Sequence, residues 1–123
     1  VGPQNAEETE QTYDTLDKQM EDPYSIYNFV KQTISIRNAF PEIARGTNTF
    51  EKNLSNDNVC IFTREYNGEK SVLIFNPSKD EASVDVSSLG VNDAVAMLQT
   101  TKKAPSYKDG TAKLPAYSVL VLK

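Results

Sequence analysis

The chain contains no histidine and no tryptophan, one cysteine, and a shortage of positive charge. Each absence removes a class of function. Without histidine there is no Ser-His-Asp or Cys-His catalysis and no histidine-based zinc site. With Cys60 alone there is no internal disulfide. Cys60 lies in the strand-like run "NVCIFTREY", where a cysteine serves as a small buried hydrophobe. Lys and Arg total 13 against 17 Asp and Glu, a net charge of -4. A nucleic-acid-binding module would show the opposite balance, concentrated in a basic patch. No stretch approaches the roughly 20 apolar residues of a membrane helix. The N-terminus lacks the basic-then-apolar run of a signal peptide. There is no Gly-rich phosphate loop, no Walker pattern and no metal-ligand spacing, so no cofactor and no metal are expected.

What is present begins with a polar, acidic stretch. Residues 1–21 read as a tail or linker, with a loose helix allowed from Glu7 onward. At Asp22 the character changes. "DPYSIYNFVKQTISIRNAFPEI" predicts a helix over 23–40, with Asp22 as N-cap and Pro23 at its first position. Ile26, Phe29, Val30, Thr33, Ile34 and Arg37 follow helical spacing, and Ile36 and Phe40 continue a second stripe beside them. Pro41 ends the helix. So wide an apolar surface asks for two neighbours.

From Arg45 the period switches to two. "GTNTFEK" is a weak strand and "NVCIFTREY" (58–66) a strong one. "NGE" (67–69) is a hairpin turn, because Asn-Gly tolerates positive φ at both central positions. "KSVLIFN" (70–76) is apolar on both faces, as a central strand is, and Pro77 stops it. "EASVDVSS" (81–88) turns Ala82, Val84 and Val86 inward. "DAVAMLQT" (93–100) is a further strand, "TKKAPSYKDG" a loop, "TAKL" a short strand and "AYSVLVLK" the last. One long helix followed by about seven short strands predicts a mainly β fold, an antiparallel Greek-key β-sandwich over 44–123 preceded by the helix segment 22–43. Phe62, Leu73, Phe75, Val84 and Val119 are expected in its core, and Tyr117 at a core position. A C-terminal strand set between two others would explain the apolar run at the end.

Candidate chemistry is sparse. Glu65 and Glu69 flank a hairpin, and Asp80, Glu81 and Asp85 fall on solvent-facing positions, so no catalytic carboxylate pair is recognisable. "SNDN" (55–58) lacks the alternating ligands, glycine and terminal Glu of a calcium loop and reads as a turn built by Asn and Asp side chains. "NLS" (53–55) matches a glycosylation sequon, a three-residue pattern that also arises by chance. Tyr66 and Tyr107 are the candidates for sugar contact, since a pyranose ring stacks its apolar C–H face on an exposed aromatic; ordinary packing is the competing reading.

Three segments carry a resemblance. "DPYSIYNFVKQTISIRNAFPEIARG" resembles the last barrel helix of the α-amylase family of glycoside hydrolases, through Asp22, Pro23, Ser25, Asn28, Arg37, Pro41 and Gly46. "VCIFTREYNGEKSVLIFNPS" is similar to a strand pair of that family's C-terminal sandwich, through Arg64, Gly68 and Asn76. "LPAYSVLVLK" resembles its closing strand, through Leu114, Pro115, Tyr117 and Ser118. The resemblance spans roughly residues 16–123 and implies the end of an enzyme acting on starch or related α-glucans. It implies that the catalytic Asp, Glu and Asp of a retaining mechanism lie upstream in the barrel, so no catalytic residue is expected here. The implied partner is that barrel, which the sandwich stabilises by covering apolar surface. α-Glucan is a further candidate partner, with an autonomous carbohydrate-binding module as the alternative reading. A bacterial extracellular or cell-surface setting fits such a parent. Without a barrel, Ile26, Phe29, Val30 and Ile34 are expected to face water, inviting self-association through the helix.

Overall fold

The computed structural model describes residues 15–123; most of the acidic stretch 1–21 lies outside the described residues. Three helices, α1 (Leu16–Glu21), α2 (Ile26–Ala39) and α3 (Pro41–Arg45), precede eight strands. These are β1 (Thr47–Phe50), β2 (Cys60–Tyr66), β3 (Glu69–Asn76), β4 (Ala82–Asp85), β5 (Ala94–Leu98), β6 (Ser106–Lys108), β7 (Thr111–Leu114) and β8 (Ser118–Leu122). A five-stranded sheet in the order β1-β2-β3-β8-β5 faces a three-stranded sheet in the order β4-β7-β6. All pairings are antiparallel. β8 lies between β3 and β5 and is buried on both faces, which accounts for its apolar run.

The start of α2 differs from the expectation. Ser25, not Asp22, is the N-cap, its Oγ accepting from the Asn28 N–H at 3.3 Å. Asp22 instead closes the preceding turn, accepting from the Tyr24 N–H at 2.9 Å. The reason is α1. The Asn28 amide donates to the carbonyls of Gln19, Met20 and Asp22 at 3.0, 3.2 and 2.7 Å, and Ser25 Oγ donates to Gln19 at 2.6 Å. Those carbonyls lie in the last turn of α1 and at its C-cap, and bonding them ties α1 to the first turn of α2. Pro41 does end α2, and it also opens α3 at a position that needs no N–H.

Two hairpins turn on residues of positive φ. Asn67 and Gly68 (φ 50° and 81°) join β2 to β3. Asp109 and Gly110 (φ 51° and 81°) join β6 to β7, so part of the segment read as a loop is strand. The "SNDN" segment is an Asn-built turn, with Asn56 Oδ1 accepting from the N–H groups of Asn58 and Val59 at 2.8 and 2.9 Å.

The core between the sheets consists of Val59, Ile61, Val72, Ile74, Val84, Val86, Ala112, Leu114, Leu120 and Leu122. Val84 is placed there as expected. Phe62, Leu73, Phe75 and Val119 are not: they are half-buried on the opposite face of the five-stranded sheet. β2 and β3 are strands as expected, but both of their faces are apolar. The β-branched side packs against the second sheet, and the aromatic side turns outward, toward the helices. Tyr117 is likewise outside the core, 54% exposed at φ 53°.

Candidate functional site

The outer face of the five-stranded sheet is a second apolar surface. Register places Phe50 opposite Phe62, Phe62 opposite Leu73, Cys60 opposite Phe75, and Phe75 opposite Val119. The rings of Phe50 and Phe62 lie 5.3 Å apart, and Phe62 meets Phe75 edge-on at 5.8 Å. Helices cover only part of this face: α2 packs on β5, and α3 packs on β2 and β3. An open groove of about 350 Å³ remains between the start of α2 and the sheet, lined by Tyr24, Phe29, Phe75, Pro77, Tyr117 and Val119. Ile26 lines this groove and also a second depression on α2 that contains Leu16, Val30 and Ile34. The apolar surface is therefore continuous from the sheet onto the helix.

Ile26, Val30 and Ile34 are 51%, 50% and 53% exposed, four residues apart along one stripe. Ile36, Phe40 and Ile43 are half-buried at the other end of the helical segment. Phe29, expected to face water, is instead half-buried as a wall of the groove. A surface of this kind, with few polar groups, is suited to another protein surface rather than to a polar ligand. Asn76, beside the groove, spends its side chain internally on the carbonyls of Asp80, Leu114 and Pro115.

The two tyrosines singled out in the sequence do not share a face. Tyr66 ends β2 on the outer side of the five-stranded sheet, half-buried. Tyr107 on β6 packs against the sandwich core and donates its hydroxyl to the Val91 carbonyl at 3.0 Å. Among the described residues no group of three or more Cys, Asp or Glu side chains could hold a metal ion, and no helix is long and apolar enough to cross a membrane. Cys60 is half-buried in β2.

One polar cluster lies beneath the helices. Glu42 on α3 is 1% exposed and accepts from Ser71 Oγ at 2.5 Å and from Lys123 Nζ at 3.1 Å. Lys123 also reaches Glu69 at 3.0 Å. Burial pushes the Glu42 carboxyl up, but hydrogen bonds from Ser71, its own backbone N–H and Lys123 outweigh it and hold it below the ordinary value. Hydrogen bonds to Glu69 and Glu42 hold the Lys123 ammonium above its ordinary value. The depressed carboxyl contributes stability that is present above about pH 4.5, its ordinary value, and is lost as pH falls through the folded value. The raised ammonium contributes stability that is present below 10.5 and is lost as pH rises through the folded value. The urea midpoint of the wild type should therefore exceed that of Glu42→Gln by a constant margin across roughly pH 5–9, narrowing on the acid side. A margin that does not change down to about pH 2 would show that the fold leaves the Glu42 carboxyl at its ordinary value.

Among the described residues, helices lead into an antiparallel sandwich that carries an open apolar face, which defines a β-sandwich domain with a docking surface. Residues 52–121 match the family described as maltogenic amylase, C-terminal domain, and the chain belongs to that family. It is a non-catalytic C-terminal domain of α-amylase-family enzymes. Among solved structures, Eubacterium rectale Amy13B is 97% identical with a TM-score of 0.93, the match covering 100% of this chain and 24% of that one. The trehalulose synthase MutB of Pseudomonas mesoacidophila MX-45 is 23% identical with a TM-score of 0.71, over 87% of this chain and 19% of that one. A MutB mutant soaked with trehalulose matches at 22% identity and a TM-score of 0.73; at this identity the two MutB likenesses speak for the fold alone. The chain thus spans about a quarter or less of the length of these solved relatives. No curated protein matches it.

Proposed function

We propose that this chain is the C-terminal part of an α-amylase-type glycoside hydrolase, with α2 as the last barrel helix, and that it stabilises a catalytic barrel by docking its apolar face against it. The parent would be a retaining enzyme acting on starch or related α-glucans, with its catalytic carboxylates outside residues 1–123. The observation that carries this reading is the continuous apolar surface running from Phe75 and Tyr117 over Ile26 to Val30 and Ile34. Burying such a surface yields about 25 cal/mol per Å² removed from water. Standing alone, the chain would bring the same stripe against a second copy, so self-association through α2 follows from the same surface.

The test is a pair of substitutions, Ile26→Glu with Ile34→Glu. In the longer enzyme the pair should lower the thermal midpoint by at least ~3 °C. In this chain alone it should leave the sandwich folded and shift the sedimentation pattern toward monomer. An unchanged midpoint in the longer enzyme would rule out docking through α2. Incubated with insoluble starch, the chain should flow through; retention abolished by Tyr66→Ala or Tyr107→Ala would favour the carbohydrate-binding module instead.

A further inference from the structure

The Glu42 cluster is an odd way to pack a helix. α3 has five residues and cannot stand by itself. Its one fully buried side chain is a glutamate, where an apolar residue would fill the space without the cost of desolvating a charge. Yet three neighbouring strands each send polar side chains onto this one turn. From β2, Arg64 Nε and Nη2 donate to the carbonyls of Glu42 and Ile43 at 3.4 and 2.8 Å, capping the end of α3. From β3 comes Ser71 Oγ, at 2.5 Å from the Glu42 carboxylate. From the end of β8 comes Lys123, which bridges Glu42 to Glu69 of β3 and sits 5.7 Å from the centre of the Phe40 ring.

The backbone is equally confined. A Cβ on Gly46 would stand 2.1 Å from the Glu42 carbonyl oxygen and 2.9 Å from that of Glu65, so the exit of α3 lies flush on β2. Directional bonds of this kind fix an orientation, which apolar contact does not.

We propose that Glu42, Ser71 and Lys123, with Arg64 at the helix end, form a clamp that makes α3 a rigid joint between α2 and the sandwich. The joint sets the angle at which α2 leaves the sheet and makes the α2–α3 corner part of the sandwich's cooperative unit. It lies wholly within this chain, so it stands or falls independently of whether α2 docks on a barrel.

Amide hydrogen exchange on the whole chain tests it. In the wild type the amides of Ala44 and Gly46, bonded to Phe40 and Glu42, should be protected nearly as well as those of β3 and β8. In Glu42→Gln, which keeps shape and removes charge, they should exchange at least about tenfold faster than β3 and β8, whose own loss of protection matches the lowered urea midpoint. Lys123→Met, at a partly exposed position, should reproduce the effect without threatening the fold. The proposal is overturned if α3 stays protected in both variants. It is also overturned if β3 and β8 lose protection in step with it, because the cluster then supports the whole domain and no separate joint exists.

Discussion

Replacing Ile74 by Ala should cost about 3–4 kcal/mol, while the same change at the adjacent Phe75 should cost only about 1–2 kcal/mol in this chain. The larger side chain is expected to have the smaller effect. Ile74 is fully buried between the sheets, paired with Ile61 on one side and Leu120 on the other. Truncating it leaves a cavity that strands on both sides cannot close. Phe75 points to the other face, half-buried beside the open groove, where water can take up part of the space. Urea unfolding of both variants decides the matter. Equal losses, or a greater loss at Phe75, would mean that the register of β3 is shifted by one residue, which exchanges its faces.

The second large effect is expected at Asn76. Its side chain is 1% exposed and fully engaged. Nδ2 donates to the carbonyls of Asp80, Leu114 and Pro115 at 2.9, 3.0 and 3.0 Å, and Oδ1 accepts from the N–H and Oγ of Ser78 at 3.0 and 2.7 Å. One amide thus joins the β3–β4 turn to the segment between β7 and β8, across 38 residues of chain. Asn76→Leu keeps much of the volume and removes all five of these bonds, leaving the Asp80 and Pro115 carbonyls with Ser78 Oγ and Ser118 Oγ, at 3.0 and 2.7 Å. The expected loss is about 2–4 kcal/mol, since each lost bond contributes about 0.5–1.5 kcal/mol and five are lost together. Because Tyr117 donates its backbone N–H to Ser78 at 3.2 Å, the variant should also loosen the rim of the groove. A loss under ~1 kcal/mol would show that water replaces the amide without difficulty.

Much of the fold is legible in the sequence because two periods and a few turn residues carry it. The strand runs of β2 and β3, the apolar alternation of β4, the Asn67–Gly68 turn and the double-sided burial of β8 can all be read directly. Three things cannot. The face that β2 and β3 turn to the second sheet is hidden because both faces are apolar, and that misplaces Phe62, Leu73, Phe75 and Val119. The start of α2 is hidden because Asp22-Pro23 is a valid N-terminal signal; the outcome turns on Asn28 gathering carbonyls of α1, a tertiary effect. β6 is hidden in a polar loop of three paired residues, although Asp109–Gly110 offers the same hairpin signal as Asn67–Gly68.

The candidate surface divides in the same way. The stripe Ile26, Val30 and Ile34 follows from helical spacing, and its exposure follows from the shortage of neighbours for so wide an apolar surface. The groove beside it combines Phe29 and Tyr24 with Phe75, Pro77 and Tyr117, which lie on separate elements, so no local pattern announces it. Glu42 is equally silent in sequence. A glutamate in the first turn of a short helix reads as a solvated dipole partner, and only the arrival of Ser71 and Lys123 buries it.

Docking on a barrel requires the apolar face to be covered in the longer enzyme. Hydroxyl-radical footprinting reads this directly, because side-chain oxidation follows solvent access. Measured on this chain at monomeric dilution and on the longer enzyme, oxidation of Ile26, Val30, Ile34 and Tyr117 should fall by at least about fivefold in the enzyme, the change expected when half-exposed side chains enter an interface core. Lys113 and Ser83, on exposed positions of the three-stranded sheet, should shield their neighbourhood equally in both, so oxidation around them should not change. Equal oxidation of the four apolar residues in chain and enzyme would contradict the account.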